Sequence, residues 1–83
     1  RYPHTHFAAR FAAKEAFLKA LGTGLRGKMN WLEMEVGLND LGRPSLDVRG
    51  ECRTVLRAIG GRKIHLSLTH QARTAVAVVI IED

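Results

Sequence analysis

The sequence predicts an α+β fold in which a mostly antiparallel sheet packs on one long helix. Apolar residues recur at helical spacing through the first 21 positions, whereas later segments alternate or run apolar as strands do. Glycines and turn-forming residues separate these segments. No repeat, low-complexity tract or proline-rich linker divides the 83 residues. We therefore expect residues 1–83 to form a single domain with one modest core.

The first predicted helix runs from about Thr5 to Leu21 and ends at Gly22. At 100° per residue, its small residues follow one face and its large apolar residues follow the opposite face. The small residues are Ala9, Ala13, Ala16 and Ala20, and the large ones are Phe7, Phe11 and Leu18. Because both faces are apolar, we expect this helix to lie between two packed layers.

The segment Asn30–Val36 alternates and predicts a half-buried strand. The alternation places Leu32, Met34 and Val36 inward and Trp31, Glu33 and Glu35 outward. We interpret the outward face as exposed or interfacial rather than as an acid–base carboxylate pair. Residues 39–44 have strong turn chemistry, and Ser45–Val48 predicts a short strand after them.

A second helix is predicted from about Gly50 to Ile59, ending at Gly60 and Gly61. We expect it to bury three apolar side chains, those of Val55, Leu56 and Ile59. Cys52, the one cysteine, cannot form an internal disulfide. A small buried apolar residue is a more ordinary role for it than a catalytic nucleophile.

The C-terminal part predicts two strands joined by a turn at His70–Thr74. The first strand, Ile64–Thr69, places its polar side chains on one face. The second, Ala75–Ile81, is continuously apolar, as a strand covered on both faces would be.

Composition narrows the classes of function. The net charge of +5 indicates acidic partners, which include nucleic acids, phosphorylated small molecules and acidic proteins. The thirteen basic residues are scattered and are not interleaved with aromatic residues, which disfavours a nucleic-acid-binding domain. No apolar run approaches the roughly 18 residues that a membrane span needs, and no leader pattern opens the chain. We expect a soluble cytoplasmic protein.

One combination of residues suggests a binding site. Glu15 and Lys19 lie one helical turn apart, and spacing alone is compatible with either a local salt bridge or a site. The helix is followed by Gly22–Gly24, and Ser67–His70 comes later. Together these segments supply a hard metal ligand, a cation, backbone amides and hydroxyls, which are the groups that bind a pyrophosphate.

Other patterns are weaker. Gly22–Lys28 nearly spells a Walker A loop, but it follows a helix, precedes a strand and continues with Met29. We therefore reject that function. His4 and His6 are interpreted as solvated, and His70 taken alone is more simply a surface residue.

Longer motifs identify a family. Arg10–Gly24 closely resembles the signature of holo-acyl-carrier-protein synthases, the small bacterial phosphopantetheinyl transferases. Trp31–Val36 resembles the strand that follows the signature, Gly42–Pro44 resembles the glycine-basic-proline turn of the family, and Ser67–His70 resembles its Ser-x-Ser/Thr-His element. The resemblance implies the α+β fold of that family.

The resemblance also implies roles for individual residues. Glu15 would be a Mg²⁺ ligand, and Lys19 would contact the pyrophosphate of coenzyme A. Arg10 and His70 would hold the nucleotide end, including its 3′-phosphate. Further coenzyme A contacts are implied for Gly22, Thr23 and Gly24 and, more weakly, for Pro44 and Ser67.

The implied reaction transfers 4′-phosphopantetheine from coenzyme A to a serine of an acidic acyl carrier protein, in fatty acid biosynthesis. The serine hydroxyl would attack the β-phosphorus, and 3′,5′-ADP would leave. The family also implies a homotrimer with active sites between subunits, which agrees with a helix that is apolar on opposite faces.

The sequence departs from the family pattern at its start. Members of the family begin with a strand that carries a metal-binding aspartate in a Gly-Ile/Val-Asp context, and neither Asp40 nor Asp47 has those surroundings. We expect the sequence to be a fragment that starts after this strand. The alternative is a non-catalytic module that binds coenzyme A or the carrier protein and has an incomplete metal site.

Overall fold

The computed structural model describes residues 7–70 and 74–83, with the backbone alone at His70. Its elements in chain order are α1 (Phe7–Leu21), a 3-10 helix (Trp31–Glu33), β1 (Met34–Leu38), β2 (Pro44–Val48), α2 (Gly50–Ala58), β3 (Lys63–His70) and β4 (Ala75–Glu82). The predicted α+β class is confirmed. The predicted helix start at Thr5, the residues His4 and His6, and most of the turn at His70–Thr74 lie outside the described residues.

The strands form two antiparallel hairpins. β1 pairs with β2, with Met34 opposite Val48, and β3 pairs with β4, with Lys63 opposite Glu82. β2 also lies against β3, and α1 packs on β4 and β3. The helix therefore covers one side of the second hairpin, as the predicted packing of a sheet on the long helix requires.

One face of α1 contributes more of the buried core than any other single element. Ala13 and Phe17 are fully buried, and Leu18 joins them at 4% exposure although the helical projection placed it on the opposite face. Phe7 and Phe11 remain 67% and 48% exposed. Among the described residues of one chain, α1 thus has one covered face, and the two phenylalanines mark a second apolar face that those residues leave exposed.

The prediction of a strand starting at Asn30 is wrong for its first half. Asn30 caps a 3-10 turn instead: its side-chain oxygen accepts a hydrogen bond from the Leu32 amide at 2.8 Å, and Glu33 Oε1 accepts one from the Asn30 amide at 3.1 Å. This reciprocal capping satisfies the Asn30 and Leu32 amides within the turn, so these residues do not alternate between inward and outward positions as a strand would. Leu32, predicted to point inward, is 74% exposed, and β1 begins at Met34.

α2 is held at its start by the same glutamate. Glu33 Oε2 accepts a hydrogen bond from the Glu51 amide and Oε1 accepts one from the Cys52 amide, both at 3.0 Å. Gly50 precedes them with φ of +58°, and a Cβ at that position would collide with the Glu33 carboxylate. The glycine is therefore required both for the backbone angle and for the close approach.

The apolar face of α2 is shorter than predicted. Leu56 is buried and Val55 half-buried, but Ile59 is 52% exposed. The helix ends at Ala58, and Ile59 is its C-cap with φ of −92° and ψ of 8°, so the helical projection no longer applies to it. Cys52 is fully buried, which agrees with its interpretation as a small core residue.

β4 alternates between half-buried and exposed positions, so the prediction that both faces are covered is wrong for the single chain. Its exposed side chains are Val76, Val78 and Ile80, at 57%, 52% and 58% exposure. Their cross-strand neighbours on β3, on the same face of the hairpin, are Thr69, Ser67 and His65. These three residues form the polar face that the sequence predicts. At the end of this face, His65 Nε2 lies 2.8 Å from Glu82 Oε1 and lowers the pKa of that carboxyl group.

No helix within residues 7–70 and 74–83 is both long and apolar enough to cross a membrane.

Candidate functional site

An open groove of about 680 Å³ lies where α1 ends and the glycine loop begins. We call it the helix-end groove. Its lining residues are Glu15, Leu18, Lys19, Gly22, Thr23, Gly24, Leu25 and Trp31. The structure thus brings together five residues that the sequence analysis singled out: Glu15, Lys19, Gly22, Thr23 and Gly24.

The end of α1 shapes this groove. The Gly22 amide donates to the carbonyl oxygens of Leu18 at 3.1 Å and Lys19 at 3.0 Å, with Gly22 at φ of +84°. Gly24 also has a positive φ, +67°. Two left-handed residues in three turn the chain back beside the last helical turn, which only glycines allow without strain.

The loop is tied down by its own polar groups. The Thr23 hydroxyl donates to the Gly24 carbonyl oxygen at 2.9 Å, and Arg26 Nε donates to the Thr23 carbonyl oxygen at 3.1 Å. These contacts order the loop before any ligand arrives, so less conformational entropy remains to be lost on binding.

Glu15 is half-buried and Lys19 is exposed at the rim of the groove. Among the described residues, the ion pairs within 4.0 Å are Arg49 with Glu35 and His65 with Glu82, and Glu15 with Lys19 is not one of them. The local salt bridge that spacing alone allowed is therefore not formed. Both charged groups face the same open space and are available to a ligand there.

A second groove, of about 420 Å³, lies on the other side of Trp31. We call it the aromatic groove. Its lining residues are Phe7, Arg10, Phe11, Lys14, Trp31, Leu32, Met34, Glu35, Val36 and Arg49. Arg10, the remaining predicted site residue on α1, lies here, so Trp31 separates it from the groove that contains Glu15 and Lys19.

Trp31 is the shared wall of the two grooves. Its ring centroid lies 5.3 Å from that of Phe11, and Lys14 Nζ lies 5.2 Å from the Trp31 ring. Partial burial and the neighbouring Arg10 lower the pKa of Lys14, while Glu35 opposes them. The ring thus packs against an aromatic and a cationic side chain of α1, contacts of the kind that hold an indole in place.

The remaining predicted site residues lie elsewhere. Pro44 begins β2 opposite Leu38, and Ser67 lies opposite Val78 on the uncovered face of the second hairpin. Neither lines one of the two grooves. The side chain of His70 lies outside the described part of the chain.

A metal ion would find one carboxylate here. Within the described residues, no group of three or more His, Cys, Asp or Glu side chains converges, and Glu15 is the carboxylate that lines the helix-end groove. Mg²⁺ commonly binds through one or two carboxylates together with substrate phosphates and water. Glu15 therefore fits a site that a phosphorylated substrate completes, and it does not by itself form a protein cage.

Sequence reasoning does not identify the roles of two residues, Glu33 and Trp31. It places Glu33 on an exposed strand face, although the spacing Asn30-x-x-Glu33 is a capping-box signal that predicts the hydrogen bond of Glu33 to the Asn30 amide. Its bonds to α2 and the position of Trp31 depend on residues far apart in the chain, and no local pattern predicts them.

Comparisons with known proteins agree with these motifs. The family model of the 4′-phosphopantetheinyl transferase superfamily matches residues 1–79. The holo-acyl-carrier-protein synthase of Koribacter versatilis is 52% identical over 77 residues, which cover 93% of this chain and 62% of that protein.

Solved structures are also similar to the chain, among them two holo-acyl-carrier-protein synthases. The holo-acyl-carrier-protein synthase from Neisseria meningitidis superposes with a TM-score of 0.85 at 35% identity, covering 99% of this chain and 66% of that one. The enzyme from Helicobacter pylori, solved in complex with coenzyme A, gives a TM-score of 0.77 at 26% identity, covering 94% and 65%. The chain thus spans a little under two thirds of the length of these relatives.

Proposed function

The chain belongs to the 4′-phosphopantetheinyl transferase superfamily, and on that premise we propose that it acts in holo-acyl-carrier-protein synthesis. In this function, 4′-phosphopantetheine moves from coenzyme A to a serine of an apo acyl carrier protein, within fatty acid biosynthesis in the cytoplasm. The observation that carries the proposal is the helix-end groove, in which Glu15 and Lys19 share open space with Gly22–Gly24. The relatives bearing this name and the coenzyme A complex of one of them support it.

The groove supplies charge where the reaction needs it. In the proposed step, the serine hydroxyl oxygen forms a bond to the β-phosphorus and loses its proton, and the bond from that phosphorus to the oxygen of the leaving 3′,5′-ADP breaks. Lys19, which is exposed and lines the groove, is proposed to compensate the negative charge that builds on the leaving phosphate. The backbone of Gly22–Gly24 allows close approach of the nucleotide because no Cβ fills the space beside either glycine.

Glu15 is the residue that would hold Mg²⁺, with phosphate oxygens and water as the other ligands. The ion, when bound, would neutralise charge on the phosphate oxygens. Glu15 is also proposed to accept the serine proton, directly or through a water. The second candidate function is a module that binds coenzyme A or the carrier protein without transferring the group. The observation that favours it is that one carboxylate, that of Glu15, lines the groove.

Arg10 is proposed to bind the 3′-phosphate of the nucleotide, together with His70. Because Trp31 separates Arg10 from Glu15 within one chain, this role is easiest to satisfy if neighbouring subunits share each site. The family resemblance implies a homotrimer with active sites between subunits, and we propose that assembly. Two uncovered apolar surfaces support assembly, one with Phe7 and Phe11 on α1 and one on β4.

The carrier protein is proposed to dock through charge. The chain carries a net charge of +5, and an acidic carrier would be steered toward it. Around the aromatic groove, Arg10, Lys14 and Arg49 outnumber Glu35, which gives this part of the surface a positive balance.

A transfer assay with a matched variant tests the function. The protein is incubated with coenzyme A, Mg²⁺ and apo carrier protein, and mass spectrometry of the carrier measures the addition of one phosphopantetheine. We expect addition with the parent chain and none with Glu15→Gln, which keeps the shape of the side chain but removes its charge. Binding of coenzyme A without any addition would favour the non-catalytic module, and activity that survives E15Q would refute the role of Glu15.

A further inference from the structure

Glu33 holds together two segments of the chain that are far apart in the sequence. Its carboxylate accepts hydrogen bonds from the amides of Asn30, Glu51 and Cys52, at 3.1, 3.0 and 3.0 Å. The first lies at the start of the 3-10 helix and the other two at the start of α2. The contact therefore locks the 3-10 helix against α2.

Further bonds reinforce the same junction. The Arg49 amide donates to the Glu33 carbonyl oxygen at 2.8 Å, and Arg49 Nη2 donates to the Leu32 carbonyl oxygen at 3.2 Å. The Cys52 thiol donates to the Asn30 carbonyl oxygen at 3.7 Å. In each of these bonds, α2 or its N-cap residue Arg49 donates to a carbonyl oxygen of the 3-10 segment.

The residue that this junction places is Trp31. It begins the 3-10 helix and forms the shared wall between the helix-end groove and the aromatic groove. Its packing against Phe11 and Lys14 fixes the ring from the side of α1, while the Glu33 junction fixes its backbone from the side of α2. A shift of the 3-10 turn would therefore move the wall of the groove that contains Glu15 and Lys19.

We propose that Glu33 is a positioning residue for the transferase: through its three backbone contacts it sets the place of Trp31 and thereby the width of the helix-end groove for coenzyme A. This inference rests on the proposed function. Glu33 lines neither groove and acts through Trp31. Its removal should consequently weaken coenzyme A binding and leave the reacting groups themselves unchanged.

The test uses Glu33→Gln, with Glu51→Gln as its matched control. The control removes one carboxylate at the same helix start but keeps the Glu51 amide that Glu33 binds. Trp31 is the single tryptophan, so acrylamide quenching of its fluorescence reports its exposure directly. We expect E33Q to raise the quenching constant about twofold and KM for coenzyme A about tenfold, with kcat within about twofold of the parent. E51Q should change none of these.

The possible results distinguish a failure of this inference from a failure of the proposed function on which it rests. If the parent chain transfers the group and E33Q leaves the quenching constant and KM unchanged, or lowers kcat alone, the positioning role is refuted. If the parent chain transfers nothing, the proposed function fails, yet quenching in E33Q against E51Q still decides whether Glu33 places Trp31. Should E33Q not fold, Glu33→Asp keeps the charge on a shorter side chain, and the same increases in quenching and KM are expected in it; their absence would overturn the inference.

Discussion

The glycine loop at the end of α1 and the Glu33 junction at the start of α2 are built in opposite ways. The loop is local: Gly22 and Gly24 turn the chain, and the hydrogen bonds of Thr23 stay within a few residues. The junction joins Glu33 to amides 18 and 19 positions later. Local construction can be predicted from residue types and spacing, whereas the junction exists only once the fold has formed.

Substitution of one glycine in each region should give different losses of stability. Gly50→Ala places a side chain in the left-handed region and against the Glu33 carboxylate, so it adds lost hydrogen bonds to backbone strain. We expect it to lower the free energy of unfolding by about 3 kcal/mol. Gly22→Ala adds only the strain, because nothing lies within 4 Å of its Cβ position, and about 1 kcal/mol is expected.

Urea denaturation of both variants measures this difference. Equal losses of stability would show that the collision with Glu33 does not matter, and the contrast between the two regions would then be wrong.

The Gly22→Ala variant should also bind coenzyme A more weakly, since Gly22 lines the helix-end groove. This loss of affinity should be larger than the small loss of stability alone would cause.

Acid should weaken the junction before it affects the loop. Hydrogen bonds from the Glu51 and Cys52 amides lower the pKa of Glu33 to about 2 from its ordinary value of 4.5. A carboxyl group with a lowered folded-state pKa contributes stability that is fully present above pH 4.5 and is lost as the pH falls toward 2. We expect the melting temperature to fall across that window in the parent chain and to fall less in E33Q. Parallel pH profiles of the two proteins would contradict this assignment.

Much of the fold could be predicted from the sequence because its signals are local. The end of α1, the turn at residues 39–44 and the inward placement of Met34 and Val36 all depend on neighbouring residues, and the structure agrees with them. The strand prediction for Asn30–Glu33 failed because two capping hydrogen bonds override the alternation there.

The candidate site also has one part that local signals predict and one part that depends on tertiary contacts. Glu15, Lys19 and the residues 22–24 share a groove because helical spacing and a glycine turn bring them together, and both are visible in the sequence. The separation of Arg10 by Trp31 is a tertiary arrangement that no spacing predicts. Whether β4 is covered on both faces depends on partners outside one chain, so an apolar run alone cannot specify it.

The most direct test of the central claim is a calorimetric measurement of coenzyme A binding, with Mg²⁺ present, to the parent chain, Lys19→Gln and Lys28→Gln. Both substitutions remove one positive charge from an exposed lysine, but only Lys19 lines the helix-end groove. If that groove binds the pyrophosphate, K19Q should raise Kd about tenfold while K28Q stays within about twofold of the parent. Equal effects of the two substitutions, or no effect of K19Q, would show that the coenzyme binds elsewhere.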